Sequence, residues 1–129
     1  MAVDLNHTIV AARDKKESAE FVAGILGLEV GPQYGPFLPV VTANGVALDF
    51  MDADPYHPIN EQHYAFIVTE AEFDEIFGRI KEAGIEYWAD PGHRQPGEIN
   101  HNDGGRGVYF PDPSGHNLEI ITRPYGSGS

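Results

Sequence analysis

Two histidines and two carboxylates lie at matching positions in the two halves of the chain. His7 and His63 each belong to a short apolar segment, and Asp49 and Glu119 each lie four positions after a glycine. Two imidazoles and one carboxylate suit non-haem iron, and the same set also binds zinc, manganese, cobalt or nickel. The repeat therefore predicts a divalent metal site formed by His7, His63 and Glu119, with Asp49 as a candidate fourth ligand.

The elements that would position these residues also repeat, in the order β-α-β-β-β. The first helix is predicted from a cap at Asp14 to Gly27, and the second from a cap at Thr69 to Gly84, each with the Glu of a capping box three residues after its cap. An apolar stripe follows each cap at helical spacing. One strand precedes each helix and three extended segments follow it; the predicted ranges are 5–12, 28–33, 37–43 and 46–52, then 62–68, 85–89, 106–111 and 117–123.

Strand alternation predicts that the ligand-type residues share one face of their sheets. Tyr64 and Phe66 fall on one face of their strand and His63 on the other, and Glu119 opposes its apolar neighbours in the last strand. Large apolar side chains can then cover the helices, while the opposite face lines a cavity. A carboxylate in such a cavity needs a partner, and a divalent cation held with imidazoles supplies one.

Length and composition restrict the class of protein. The chain has 129 residues, no cysteine and a net charge of -12. These values predict one compact domain without disulfides or thiolate metal sites, and they disfavour nucleic acid or an anionic membrane as partner. No apolar run has the roughly 20 residues of a membrane span, and no signal peptide is recognised, so a cytoplasmic protein is expected. The last residues, 126–129, are predicted to be a flexible tail.

Three motifs resemble the vicinal oxygen chelate superfamily, which includes glyoxalase I, extradiol dioxygenases, fosfomycin-modifying thiol transferases and bleomycin-binding resistance proteins. They are Leu5-Asn6-His7, Gln62-His63-Tyr64-Ala65-Phe66, and Gly107-Val108-Tyr109-Phe110-Pro111-Asp112-Pro113-Ser114-Gly115-His116-Asn117-Leu118-Glu119. The resemblance implies an α+β fold of paired βαβββ modules forming a cup-shaped half-barrel, with one domain over 1–125 and modules at about 1–54 and 60–125. It also implies a homodimer, in which the first-strand histidine can come from the partner subunit.

The same resemblance implies a mechanism in which two adjacent oxygens of a small substrate chelate a metal held by His7, His63 and Glu119. Tyr109 matches an active-site tyrosine of the extradiol dioxygenases. Asp49 stands where glyoxalase I has a glutamate ligand, and Ile9 stands where the fosfomycin transferases have a threonine. Dioxygenase or glyoxalase-like lyase chemistry is therefore favoured. The alternatives are a fosfomycin-type thiol transferase and a drug-binding protein of the bleomycin-resistance type. The negative charge of the chain would favour the binding of a cationic drug by a protein of the second type.

The second half carries about 13 more residues than the first, in a polar segment around Pro91 to Arg106. Long loops in compact domains often carry function, so residues 92–106 are a candidate substrate lid. Within or near this segment, His101 or His93 is a candidate acid–base residue. Further candidates for substrate binding are Arg94, Arg106 and Trp88. The alternative is a surface ion pair for each arginine and packing in the core or at a dimer interface for the tryptophan.

Overall fold

The computed structural model describes residues 2–128, and the chain divides into two units between Asn60 and Glu61. The first unit contains β1 (His7–Ala12), α1 (Lys15–Leu26), β2 (Leu38–Val41) and β3 (Ala47–Asp52). The second contains β4 (His63–Ile67), α2 (Glu70–Glu82), a 3-10 turn at Asn102–Gly104, β5 (Gly107–Pro111) and β6 (Asn117–Ile121). The predicted α+β class is confirmed.

Both units have the same three-stranded sheet. The strand order is β1-β3-β2 in the first unit and β4-β6-β5 in the second. In the first unit, β3 pairs parallel with β1 and antiparallel with β2. In the second, β6 pairs parallel with β4 and antiparallel with β5. The registers also correspond, because His7 pairs with Ala47 as His63 pairs with Asn117. The repeat seen in the sequence is therefore a repeat of hydrogen-bonded topology.

The first extended segment predicted after each helix does not become a strand. Val30 and Trp88 instead form isolated bridges, Val30 to Val40 and Trp88 to Tyr109 and Pro96. Among the described residues, each unit thus has three strands, with isolated bridges in place of the fourth strand that the sequence predicted. Short edge segments that make a single backbone pair are common at sheet margins, where no further strand reinforces the pairing.

The helix boundaries follow from caps that the sequence contains. Asp14 accepts hydrogen bonds from the first backbone N–H groups of α1, and Gly27 ends that helix in the left-handed conformation. Thr69 and Glu72 form a complete capping box at α2. The capping box predicted at α1 is wrong, because Glu17 turns away to pair with Arg13 at 2.7 Å.

Each unit has its own apolar core between helix and sheet. The largest fully buried apolar side chains are Val22, Val40 and Phe50 in the first unit, and Phe73, Ile80, Val108, Phe110 and Ile120 in the second. Burial of this apolar surface is the main favourable contribution to folding. Neither helix in the described part of the chain has the length and apolar character that a membrane crossing requires.

Candidate metal centre

The second unit brings His63 and Glu119 into direct contact. Both lie on one face of the sheet, because Glu119 pairs with Ala65, two residues after His63. His63 Nε2 lies 3.0 Å from Glu119 Oε1. The Glu119 side chain is fully buried, whereas 45% of the His63 side chain is exposed. The pair therefore joins a carboxylate removed from water to an imidazole that a small molecule can reach.

The other ring nitrogen of His63 fixes the form of the imidazole. Nδ1 lies 3.0 Å from the backbone oxygen of Asn117, which can only accept a hydrogen bond. Nδ1 therefore carries a proton, and Nε2 is the ring nitrogen that faces Glu119. A lone pair 3.0 Å from a carboxylate oxygen is repelled unless a proton or a metal cation lies between the two atoms.

Two tyrosines complete the surroundings of Glu119. The Tyr125 hydroxyl donates to Glu119 Oε2, and the Tyr109 hydroxyl lies 2.9 Å from that of Tyr125. Because Tyr125 uses its proton on the carboxylate, Tyr109 donates to Tyr125. The Tyr109 ring also stacks beside His63, with 5.7 Å between ring centroids. Glu119 thus presents Oε2 to Tyr125 and leaves Oε1 for the His63 side.

Both tyrosines remain protonated over the ordinary pH range. Burial raises the pKa of Tyr109 far above its usual value, and the hydrogen bonds with Tyr125 and Glu119 raise it further. Burial and then the bond to Glu119 raise the pKa of Tyr125. Each hydroxyl is therefore a proton donor in this site and not a phenolate.

The first unit holds the repeat equivalents of this pair in a different arrangement. His7 is exposed, and its Nδ1 lies 2.7 Å from Asn6 Oδ1. Asp49 is only 1% exposed and receives the Tyr34 hydroxyl on Oδ2 at 2.7 Å. Its Oδ1 has no hydrogen-bond partner among the described residues. Within residues 2–128, no three His, Cys, Asp or Glu side chains are grouped to hold one metal ion.

Most of the chain matches a known protein family. The family model described as Glyoxalase/Bleomycin resistance protein/Dioxygenase superfamily matches residues 4–120. The chain belongs to this superfamily. A curated relative, glutathione transferase FosA from Serratia marcescens, is 30% identical over 93% of this chain and 81% of its own. The superfamily assignment agrees with the resemblance carried by the three sequence motifs.

Solved structures confirm the glyoxalase fold. The structure titled Oxidase ChaP-H2 is 70% identical over the whole of both chains, with a TM-score of 0.96. A lactoylglutathione lyase from Agrobacterium tumefaciens is 20% identical over 98% of this chain and 96% of its own, with a TM-score of 0.70. At that identity, the lyase supports the superfamily fold alone.

Backbone contacts attach the inserted segment, residues 92–106, to the rest of the second unit at several points. Trp88 forms a bridge with Pro96, the Ala89 N–H donates to the Gln95 carbonyl, and Asn100 exchanges two backbone hydrogen bonds with Gly107. A lid role for residues 92–106 stays a prediction, and these bonds limit how freely the segment can open.

The remaining predicted residues have varied surroundings. Arg106 pairs with Glu70 and Asp74 on α2, at 2.7 and 2.8 Å, which occupies the guanidinium. Arg94 is exposed, and its backbone N–H donates to the Asp90 carboxylate. No hydrogen bond of the His63–Glu119 pair involves His101, which is exposed just before the 3-10 turn. Substrate contacts for Arg94 and Arg106, and catalysis by His101, stay predictions.

Trp88 lies close to the candidate centre. It pairs through both backbone hydrogen bonds with Tyr109, so the two side chains lie on the same face of the sheet. Its indole stacks on the His93 ring, with 3.7 Å between centroids and 5° between planes. Substrate binding by Trp88 stays a prediction, and neither Tyr125 nor Asn117 was predicted from the sequence. Neither residue has a ligand-type partner at the equivalent place in the first half.

Proposed function

We propose that this protein is a divalent-metal-dependent oxidase or dioxygenase that binds a small substrate through two adjacent oxygens. The observation that carries the proposal is the His63–Glu119 pair. The Asn117 carbonyl accepts a hydrogen bond from Nδ1–H, and Nε2 lies 3.0 Å from Glu119 Oε1. This arrangement suits a cation that both atoms can bind.

The donor atoms fit a transition-metal ion. Imidazole nitrogen and carboxylate oxygen are both common ligands of such ions in proteins, so His63 Nε2 and Glu119 Oε1 would hold the ion. The nitrogen and oxygen donors suit iron, manganese, cobalt, nickel or zinc. When bound, the metal would supply Lewis acidity toward two adjacent substrate oxygens.

The protein's own groups prepare the centre. The Asn117 carbonyl keeps the Nε2 lone pair of His63 available, and Tyr125 holds Oε2 of Glu119 so that a single oxygen faces the ligand. Tyr109, with its raised pKa, keeps its proton and donates through Tyr125 toward the carboxylate. These hydrogen bonds orient the ligands and limit the negative charge that Glu119 directs at a substrate.

We propose that the third ligand is His7, supplied by a second copy of the chain. His7 lies on an exposed face of β1, and its Nδ1–H donates to Asn6, which leaves Nε2 free for a metal. No group of three ligands is present in the part of one chain that the structure describes. A symmetric homodimer would form two such shared sites. Asp49 remains a candidate fourth ligand because its buried Oδ1 lacks a partner among the described residues.

Oxidation is favoured over the other reactions of the superfamily by the 70% identity to the structure named Oxidase ChaP-H2. Thiol transfer is the second candidate, since the curated relative at 30% identity is named a glutathione transferase. The net charge of -12 disfavours an anionic thiol such as glutathione.

Metal titration followed by activity assays tests the proposal. Isothermal titration of metal-free protein with Zn²⁺, Mn²⁺ and Co²⁺ should show binding that His63→Ala and Glu119→Gln abolish. His57→Ala, an exposed histidine of the linker, should bind as the wild type does. Oxygen uptake with catechols should then depend on the metal. Full activity of metal-free protein would refute the proposal, and turnover of fosfomycin with a thiol would favour the transferase.

Complementation tests whether the site is shared between two copies. Neither His7→Ala nor His63→Ala alone should bind metal tightly. If His7 comes from the second copy, a mixed dimer of the two variants has one intact site and recovers half of the wild-type metal content. No recovery in a verified mixed dimer would place all the ligands of a site in one chain.

A further inference from the structure

The inserted segment of the second unit is attached to Asn117, the residue that anchors His63. His93 Nε2 lies 3.0 Å from Asn117 Oδ1, and Asn117 Nδ2 lies 3.4 Å from the Pro91 carbonyl. Because Oδ1 can only accept, His93 donates through Nε2–H. Asn117 therefore joins the insertion, through its side chain, to the imidazole of His63, through its backbone carbonyl.

His93 is held in place by its own surroundings. Its ring lies flat on Trp88, and its backbone has a φ of 57°, a left-handed conformation that is uncommon for residues other than glycine. The Asp90 carbonyl accepts the His93 N–H, and the Asp90 carboxylate accepts the N–H groups of Arg94 and Gln95. A disfavoured backbone conformation that neighbouring contacts maintain is often found where a side chain must point in one direction.

The first unit lacks this arrangement and provides an internal comparison. Ala47 takes the register position of Asn117 and makes the same ladder hydrogen bond, with its N–H donating to Asn6 as Asn117 donates to Gln62. Ala47 has no side-chain amide, and its half of the chain lacks the additional residues. His7 contacts the side chain of its exposed neighbour Asn6 instead of a strand carbonyl.

We propose that His93 and Asn117 are positioning residues, and that the insertion serves to hold His63 in the Nδ1–H tautomer with Nε2 directed at Glu119. Asn117 is the first residue of β6, where a strand tends to fray, so its carbonyl needs support beyond the ladder. His93 supplies that support through the side-chain amide. The effect on metal affinity rests on the proposed function, whereas the effect on the tautomer does not.

Four variants separate the hydrogen bond from the ring contact. His93→Phe keeps a ring for Trp88 but has no donor, and His93→Gln keeps a donor at similar reach without the ring. Asn117→Ala gives β6 the residue that β3 has naturally, so the fold should tolerate it. His101→Phe, in the same inserted segment, is the matched control.

The first measurement is the tautomer of His63 in metal-free protein that carries Glu119→Gln, because without a metal the Glu119 carboxylate would itself favour a proton on Nε2. Long-range ¹H–¹⁵N spectra are recorded well above the usual histidine pKa of about 6.5. In this background, the otherwise unchanged protein, His93→Gln and His101→Phe should show Nδ1–H, whereas His93→Phe and Asn117→Ala should show a mixture with the Nε2–H form. An unchanged tautomer in both of these variants would overturn the proposal.

The second measurement is the dissociation constant for Zn²⁺. It should rise about tenfold in His93→Phe and Asn117→Ala, the low end of what loss of a partner behind a metal ligand causes. His93→Gln should recover most of the wild-type affinity. If the wild type binds no metal but the tautomer still shifts, the proposed function fails while the positioning role stands. Equal Zn²⁺ affinity in all variants, together with an unchanged His63 tautomer, would agree with a metal site but would overturn the positioning role of His93 and Asn117.

Discussion

The Tyr125→Phe substitution tests the hydrogen bonds around the buried carboxylate. It deletes a single oxygen but removes two hydrogen bonds, one to Glu119 Oε2 and one from Tyr109. Glu119 is fully buried, so water cannot readily replace the lost donor. The substitution therefore measures how much the stability of the second unit depends on these tyrosines.

The expected loss follows from the two bonds. A hydrogen bond to a charged group contributes about 1.5–3 kcal/mol, and a neutral one about 0.5–1.5 kcal/mol. Tyr125 itself is 58% exposed, which lets water reach part of the site. Tyr109 also interacts with Glu119 and can turn its hydroxyl to the carboxylate in place of Tyr125. We expect a net loss of about 1–2 kcal/mol in the free energy of unfolding.

A double-mutant cycle makes the reasoning refutable. With Tyr109 also changed to Phe, neither hydroxyl remains for Glu119, and an unsatisfied buried acceptor costs about 1–3 kcal/mol. The double variant should then lose at least about 1 kcal/mol more than the sum of the two single losses. Urea unfolding in the presence of a chelator, monitored by circular dichroism, gives these values. Tyr56→Phe, at an exposed site, is the control. Strictly additive losses, or a Tyr125→Phe variant as stable as the wild type, would refute the network.

Two further predictions concern stability. Thr69→Ala removes the side-chain half of the α2 capping box and should cost about 1 kcal/mol of unfolding free energy, whereas Thr69→Ser should cost much less; a thermal melt of each compares them. The pKa values of Tyr109 and Tyr125 are raised in the folded protein, so the folded protein keeps protons that the unfolded chain releases above a pH of about 10. The stability that these tyrosines contribute should therefore be complete below that pH and should decrease as the pH rises further. Urea unfolding at a series of alkaline pH values measures this decline, which should be shallower in Tyr125→Phe.

Much of the fold could be predicted from local signals. Asp14, Thr69, Gly27 and Gly84 lie at the helix ends because capping and left-handed geometry depend on a few neighbouring atoms. The α1 capping box failed because Arg13 offers Glu17 a bidentate ion pair in competition with the backbone. The prediction of strands at 28–33 and 85–89 was wrong because a strand needs a partner along its length, which a sequence pattern does not reveal.

The candidate site was predictable to the extent that it repeats. His63 and Glu119 were recognised because residues of similar type stand at matching places in the first half. Tyr125, Asn117 and His93 became informative only when their contacts were visible. Tyr125 follows the last strand at a position where the first half has Pro55, and an asparagine at a strand start carries no chemical signature of its own.

The sequence by itself determined the superfamily, the α+β class and the residues that face the same side as His63. Strand alternation and helix caps are local consequences of backbone geometry, so they can be read without a structure. Only the tertiary structure decided that Glu119 lies 3.0 Å from His63. It also showed that a carbonyl of β6 accepts the Nδ1–H of His63, and that His93 of the inserted segment contacts the residue bearing that carbonyl. These features depend on atoms separated by tens of residues, which meet only when the sheet forms and the core excludes water.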